Sequence, residues 1–339
     1  MNCCWIACII VISIIGIAII SSVLGWPWIL KTCPFQLSPM PEIIEGYIPT
    51  NISFSSCMAN WRDHRLMNHI HSDLHIFLGD NIYGDDYNYE FEYVKPDFLW
   101  WVQLPTHIVA YYELLYRKLS CRKSFQDLVK RVPLIVSTWD DHDYGSDDEL
   151  INNTMKQEAK RMFVKFWNLN QARKNVTGIY GSYKFTNQSS SVLLILPDLR
   201  FSTSNERLFD QEQWSWLTGL LQQNKDSSII LCMSVPVRGL LRIYPEETRA
   251  LLSMLNKSTT VIISGDPHVP SITHLPYGHI DITSSPLAMV GISKHEYTVC
   301  NNSCSVINNQ DNYGLINLHE NTVTIMSEEG PLLQTRIMT

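Results

Sequence analysis

Charge is missing from the start of this chain. Residues 1–30 contain no Asp, Glu, Lys or Arg, and 5–24 form an almost unbroken apolar run, long enough to span a hydrocarbon core of ~30 Å. The basic n-region of a secretory signal peptide is missing too, which with the length of the run favours a retained anchor, whereas Val23-Leu24-Gly25 fits a small-residue cleavage site. Either outcome predicts entry into the secretory route, to the lumen or the outside. No long basic block follows, and the 339 residues carry a net charge of −7, so a nucleic-acid backbone is excluded as the default partner. Anionic substrates are not excluded, because cations held by clustered carboxylates present positive charge to a phosphate. Internal repeats and low-complexity segments are absent as well, which argues against a solenoid. The simplest organisation is a leader over 1–30, a proline-rich linker over 31–49 and one catalytic domain over 50–339.

Six N-x-Ser/Thr sequons follow the leader, at Asn51, Asn152, Asn175, Asn187, Asn256 and Asn301, and support exposure to the secretory lumen or beyond. Cys3, Cys4 and Cys8 fit reversible acylation at the leader, or thiols packed among lipid-facing residues. Cys300 and Cys304 are spaced to close a small loop. Cys232 sits in an apolar run and reads as a buried inert thiol. Cys33 and Cys121 remain as a further disulfide pair, a connectivity that spacing alone does not establish.

Short runs rich in Ile, Leu and Val predict interior strands over 72–78, 132–136, 192–196, 229–233 and 261–263. Amphipathic stretches predict helices over 107–130, 149–169, 211–223, with Asp210 as cap, and 246–256. The segments 314–319 and 322–326, joined by Glu320-Asn321, alternate as a hairpin. Alternation of strand and helix predicts a layered α/β protein whose ligands gather at strand carboxyl ends.

Three of those strands run into carboxylates. Gly79-Asp80-Asn81-Ile82-Tyr83 places Asp80 after a glycine, with the Tyr83 phenol near enough to reach the same ion; the fragment also fits an ordinary turn. Asp140-Asp141-His142-Asp143 sets four ionisable side chains side by side, which repel one another unless a cation or hydrogen bonds compensate, or unless the run is simply solvated. His142 suits proton donation to a leaving oxygen, or a structural bond to a nearby carboxylate. Ser264-Gly265-Asp266-Pro267-His268 offers a carboxylate and an imidazole, His268 being equally a surface or supporting histidine. Oxygen and imidazole donors delivered from three strand ends suit a two- or three-ion centre, and such centres most often hydrolyse phosphoesters.

These blocks, taken with Cys57 in Ser55-Ser56-Cys57, Asp143-Tyr144-Gly145, Leu196-Pro197-Asp198-Leu199-Arg200, Gln211-Glu212-Gln213-Trp214 and Thr283-Ser284-Ser285-Pro286, resemble in order those of the PhoD-like alkaline phosphatase/phosphodiesterase family of calcineurin-like metallophosphoesterases. The resemblance runs from about residue 52 to the C-terminus. It implies a four-layer α/β/β/α sandwich with two mixed sheets. It also implies Fe3+ held by Cys57, Asp80, Tyr83 and His268. Asp80 and Asp266 would bridge toward Ca2+ or another divalent ion, with a third-block oxygen from Asp140, Asp141 or Asp147. Cys57 otherwise reads as a buried thiol or half-cystine. Asp147-Asp148 stands where the family commonly has Asn-Asp, an added negative charge that would tighten divalent binding and weaken attraction for phosphate. The chain is also shorter than the secreted bacterial members, without their extra N-terminal domain. Arg62 is a candidate phosphate contact, or a surface arginine.

The expected activity is hydrolysis of a small phosphoester, with metal-activated water attacking phosphorus in line. A membrane-held phosphodiesterase for a lipid or glycolipid head group is one alternative. A metal-stabilised binding module without catalysis is another. The oligomeric state is left open by the sequence.

Overall fold

The computed structural model describes Cys33 and residues 36–85, 108–289, 304–306 and 310–337, with backbone alone at 108–111 and 304–306. The leader with its cysteines, Cys300 and the Asn301 sequon lie outside the described residues. Among the described residues no helix is long and apolar enough to cross a membrane.

In chain order the elements are β1 (Ile43–Glu45), β2 (Asn51–Ser55), β3 (Leu74–Leu78), α1 (Ile108–Cys121), α2 (Lys123–Arg131), β4 (Leu134–Thr138), α3 (Asp141–Tyr144), α4 (Lys156–Trp167), α5 (Gln171–Asn175), β5 (Gly181–Thr186) and β6 (Ser191–Leu196). There follow α6 (Gln211–Gln223), β7 (Ser228–Met233), α7 (Val237–Ile243), α8 (Pro245–Met254), β8 (Thr260–Ser264), β9 (Ser271–His274), β10 (Ile280–Thr283), β11 (Cys304–Val306), β12 (Tyr313–Asn317), β13 (Thr322–Ser327) and β14 (Gly330–Arg336).

Two mixed sheets form, one of eight strands in the order β1-β5-β6-β7-β8-β10-β9-β11 and one of six in the order β14-β13-β12-β2-β3-β4. Strands β2, β3 and β4 are parallel neighbours, as are β6, β7 and β8. Period-two alternation sorts their side chains into layers. Val192, Leu194 and Leu196 of β6 meet Ile52, Phe54 and Ile76 of the other sheet in the central core. Leu193 and Ile195 face the opposite way, onto Leu217 of α6 and Leu251 of α8. Phe77 of β3 packs outward among Leu119, Phe125, Phe163 and Trp167. The expected α/β/β/α order of layers follows from these three cores.

Strand existence matches the sequence reading, with ends shifted by up to two residues, and the hairpin of β12 and β13 forms as expected. Two helices differ. The stretch 107–130 breaks at Arg122, whose ψ of 128° is extended; its guanidinium bonds the carbonyls of Asn60 and Arg62. Residues 149–155 are turns that precede α4 rather than part of it. Asp210 caps α6 by accepting from the backbone of Gln213 at 2.8 Å. Cys33 and Cys121 form a disulfide, and Cys57 and Cys232 are buried free thiols.

His75, inside β3, is fully buried, with Ser53 Oγ 2.7 Å from Nδ1 and Ser55 Oγ 3.1 Å from Nε2. Burial lowers its pKa from 6.5 to about 3. Below the unfolded value the unfolded chain binds this proton and the folded chain does not, so His75 costs stability as pH falls from 6.5 toward 3. Replacement His75→Gln is expected to flatten the pH 6.5–5 slope of unfolding free energy by up to about 1.4 kcal/mol per pH unit, measured by urea titration; an unchanged slope would show that His75 accepts its proton in the folded state.

Candidate metal centre

Parallel pairing of β2, β3 and β4 sets Cys57, Asp80 and Asp140 just past one edge of their sheet, and β8 of the other sheet delivers Asp266 and His268 to the same place. The approach is close. A Cβ on Gly79 would stand 2.6 Å from Asp140 Cβ, and one on Gly265 would stand 2.7 Å from Ser56 Cβ, so both positions require glycine. Cys57, Asp80, Asp266 and His268 all adopt positive φ, at 60°, 51°, 78° and 51°, a conformation that costs a side-chain-bearing residue roughly 1 kcal/mol or more. Backbone bonds hold the turns: Cys57 N–H donates to Gly79 O at 3.2 Å, Met58 N–H to Asp80 O at 2.8 Å, and Ala288 N–H to Cys57 O at 3.1 Å.

The first group consists of Cys57, Asp80 and His268, whose donor atoms lie within 4.8 Å of one another. Tyr83 joins it, its hydroxyl 3.2 Å from Asp80 Oδ2 and 3.0 Å from His268 Nε2. Ser285 Oγ donates to Cys57 Sγ at 3.1 Å. Burial, reinforced by the charges of Asp80 and Asp266, pushes the Cys57 thiol up; burial pushes the Tyr83 phenol up as well. Burial also lowers His268 to about 4. The protein alone therefore favours the uncharged form of all three groups, and a cation is what would draw protons from the thiol and phenol.

The second group is Asp80, Asp141 and His142, again within 4.8 Å. Asp140, the N-cap of α3, and the first three residues of the helix, which point in successive directions about 100° apart, meet four different fates. Asp140 Oδ1 accepts from Arg200 Nε at 2.6 Å and from Ser234 Oγ at 2.8 Å. Asp141 Oδ2 accepts from Asp148 N–H at 2.7 Å, while Arg200 Nη2 stands 3.3 Å from Oδ1 as an ion pair without hydrogen-bond geometry. His142 Nδ1 is bonded to Asp85 Oδ1 at 2.6 Å, and its ring stacks on Tyr83 at 4.2 Å. Asp143 turns inward, taking the Asn81 backbone and side-chain amides at 3.1 and 3.0 Å and the Tyr116 hydroxyl at 3.2 Å.

Burial raises Asp140 to about 6 against the pull of Arg200. At Asp141 burial would raise the pKa, but Arg200 and His142 outweigh it and the carboxyl is lowered. Asp80 and Asp266 are both raised by burial, Asp266 further by the charges of Asp140 and Asp141. His142 is lifted to about 11: burial opposes its charge, and the Asp80 carboxylate and the Asp85 bond overcome it. Asp80 Oδ1, Asp140 Oδ2 and Asp141 Oδ1 are buried without a hydrogen-bond partner among the described residues. Buried oxygens of this kind are costly unless something else meets them.

Asp266 stands outside both groups by its carboxylate; its carbonyl accepts from Ser285 Oγ at 3.1 Å. Asp147 is exposed and outside both groups, its backbone N–H donating to Asp85 Oδ2 at 3.0 Å. Arg62 has a side chain 40% exposed and pairs with Asp311 at 3.7 Å. The guanidinium that touches the site carboxylates is that of Arg200, which the sequence reading placed in a motif without giving it a role. Asp85, Ser234 and Ser285 were also without a role. Ser285 lies within a quoted block, whereas Asp85 and Ser234 carry no sequence signal beyond following a motif or a strand.

No family model matches the chain, and no curated protein matches it by sequence. Among solved structures it is similar to PhoD, with a TM-score of 0.59 at 13% identity over 90% of this chain and 70% of that one. It is also similar to a purple acid phosphatase from seeds of yellow lupin (Lupinus luteus), with a TM-score of 0.58 at 8% identity over 86% of this chain and 54% of that one. The likeness is one of fold: the chain has the metallophosphoesterase fold, and it spans about half of the lupin protein.

Arg200 is the sole guanidinium bonded to this carboxylate set among the described residues. Replacement Arg200→Met should lower the unfolding free energy of the metal-free protein by about 3–5 kcal/mol, the effect of stranding buried charge. Asp148 reaches Arg200 only from a 92% exposed position at 3.7 Å, and Asp148→Asn should leave the urea midpoint in place. Equal midpoints for wild type and Arg200→Met would refute the pairing.

Proposed function

We propose that this chain is a metal-dependent phosphoester hydrolase. The observation that supports it most is the sharing of Asp80 by two groups of potential ligands, as a carboxylate bridging two cations requires, at the strand ends of a fold found in a purple acid phosphatase. The donor chemistry fits two ions of different character. A thiol, a phenol, an imidazole and a carboxylate, from Cys57, Tyr83, His268 and Asp80, suit Fe3+; Asp80 and Asp141, with Asp140 or Asp266 beside them, suit Ca2+ or another hard divalent ion. The buried oxygens of Asp80, Asp140 and Asp141 that lack partners are the atoms such ions would meet. Cations bound there would polarise phosphoryl oxygens and lower the pKa of water.

The chain's own residues have separable tasks. Asp85 holds Nδ1 of His142 and Tyr83 stacks against the ring, which fixes the orientation of the imidazole, and the Asp85 bond favours its protonated form. His142 is then placed to donate a proton to the leaving oxygen. Arg200, tied to Asp140 and Asp141, orients these carboxylates. The apolar leader is read as the anchor or signal, and the exposed asparagines of the sequons at 152, 175, 187 and 256 support a lumenal or extracellular catalytic domain. The substrate is a small phosphoester.

The test is metal analysis of the purified full chain together with hydrolysis of 4-nitrophenyl phosphate and bis(4-nitrophenyl) phosphate. Wild type should contain iron with a divalent ion and hydrolyse at least one ester, and Asp80→Asn should lose both ions and the activity. A folded protein without metal, or a fully loaded one inert toward both esters, would sink the proposal. Separately, His142→Ala should keep its metal yet lose roughly 10²–10⁴-fold in kcat, most for esters with poorly stabilised leaving groups; loss of metal instead would make His142 a ligand rather than a proton donor.

A further inference from the structure

A cleft of about 480 Å³ opens beside the candidate metal centre, with Asp266 and Arg200 in its wall, within the size range of small-molecule sites. Its floor is apolar, built by Leu199, Leu208, Val235, Leu240 and Tyr244. One side is α7, which begins next to the centre: Ser234, just before it, donates to Asp140 at 2.8 Å. Arg242, also lining the cleft, lies five residues beyond Val237 in α7, roughly 8 Å further along the axis. Arg242 is exposed and forms no ion pair among the described residues. The carboxylates that line the cleft, Asp148 and Asp266, belong to the side of the metal centre.

We infer that this cleft is the specificity site for the ester group that stays on phosphorus, and that it selects an apolar, ring-sized body ending in an acidic group, with Arg242 as the specificity-determining residue. The inference rests on the hydrolase reading. His142, which that reading places at the leaving oxygen, is not among the cleft residues, so the group lodged in the cleft is the retained one. The substrate then carries two ester groups. Hydrolysis consumes one water: a P–O bond forms from its oxygen, the bond to the leaving oxygen breaks with its electron pair on that oxygen, His142 supplies the proton that makes it an alcohol, and the protons of the water pass to solvent and back to His142. The product that remains is the monoester of the cleft group. Apolar walls favour its body by removing it from water, and Arg242 pairs with its acidic end.

Three chromogenic diesters with the same 4-nitrophenyl leaving group, differing in a retained methyl, phenyl or 4-carboxyphenyl group, test this in the full-length protein. In wild type kcat/KM should rise about tenfold from methyl to phenyl and threefold or more from phenyl to 4-carboxyphenyl. Arg242→Glu should reverse the second preference. Gly239 lines the cleft, and its Cβ position has no atom within 4 Å, so a side chain can begin there without meeting a neighbour; Gly239→Phe should occupy the cleft and erase the first preference, while Gly239→Ala keeps it. Equal kcat/KM for the three esters, or preferences untouched by Arg242→Glu and Gly239→Phe, would overturn the inference while leaving the hydrolase reading intact. Should wild type hydrolyse none of them yet hydrolyse 4-nitrophenyl phosphate, the inference is overturned and the hydrolase reading stands. Should 4-nitrophenyl phosphate be inert as well, the hydrolase reading fails instead, and the cleft is judged by calorimetric titration with 4-carboxyphenyl methyl phosphate: binding weakened tenfold by Arg242→Glu upholds the cleft as a site for this chemistry, and no binding by wild type overturns it.

Discussion

Mutual repulsion among buried carboxylates is the constraint around which this molecule is arranged. Asp80, Asp140 and Asp141 are nearly inaccessible to water, and Asp266 is pressed toward its neutral form by burial and by the charges of Asp140 and Asp141. Left to themselves such groups would separate or take up protons. Arg200 meets part of the charge, bonding Asp140 and lying against Asp141, yet one guanidinium does not balance the set. Oxygens of three of these carboxylates remain without hydrogen-bond partners among the described residues. An arrangement so costly in folding free energy makes physical sense where cations complete it.

The fold supplies the force that holds these groups together. Three apolar cores clamp two sheets between helices, so the strand ends do not relax away from one another. Positive φ at Cys57, Asp80, Asp266 and His268 is local strain sustained by that packing and by the backbone bonds between neighbouring turns. The contacts of Gly79 with Asp140 and of Gly265 with Ser56 show how little room is left. Rigidity of this kind fixes the donor atoms of Cys57, Asp80 and His268 relative to one another, which would lower the reorganisation that binding a cation requires.

Around the centre the same side-chain types take different roles according to direction. Of the acidic residues in and beside α3, Asp143 stabilises the turn through Asn81, Asp140 is engaged by Arg200 and Ser234, and Asp141 alone joins Asp80 and His142. Asp147, a few residues on, remains at the surface. Charge density in a sequence therefore overstates the number of carboxylates that reach a common point. A short helix separates adjacent carboxylates by direction more than by distance.

What the sequence determined by itself is the set of features written in near neighbours. Runs of Ile, Leu and Val marked the interior strands because burial on both faces needs continuous apolar character. Asp210 announced the start of α6 because capping is satisfied within three residues. The residues following β3, β4 and β8 come together because strand ends in layered α/β folds are where chains converge. Tertiary structure alone decided the long-range pairings: Arg200 against Asp140 across 60 residues, His142 against Asp85 across 57, Ser285 against Cys57 across 228, and the disulfide of Cys33 with Cys121 among the alternatives left open. It also broke the expected helix at Arg122, whose side chain is held by the loop after Cys57. Local periodicity carries no record of such contacts, because each depends on where two distant segments come to rest once the sheets have packed.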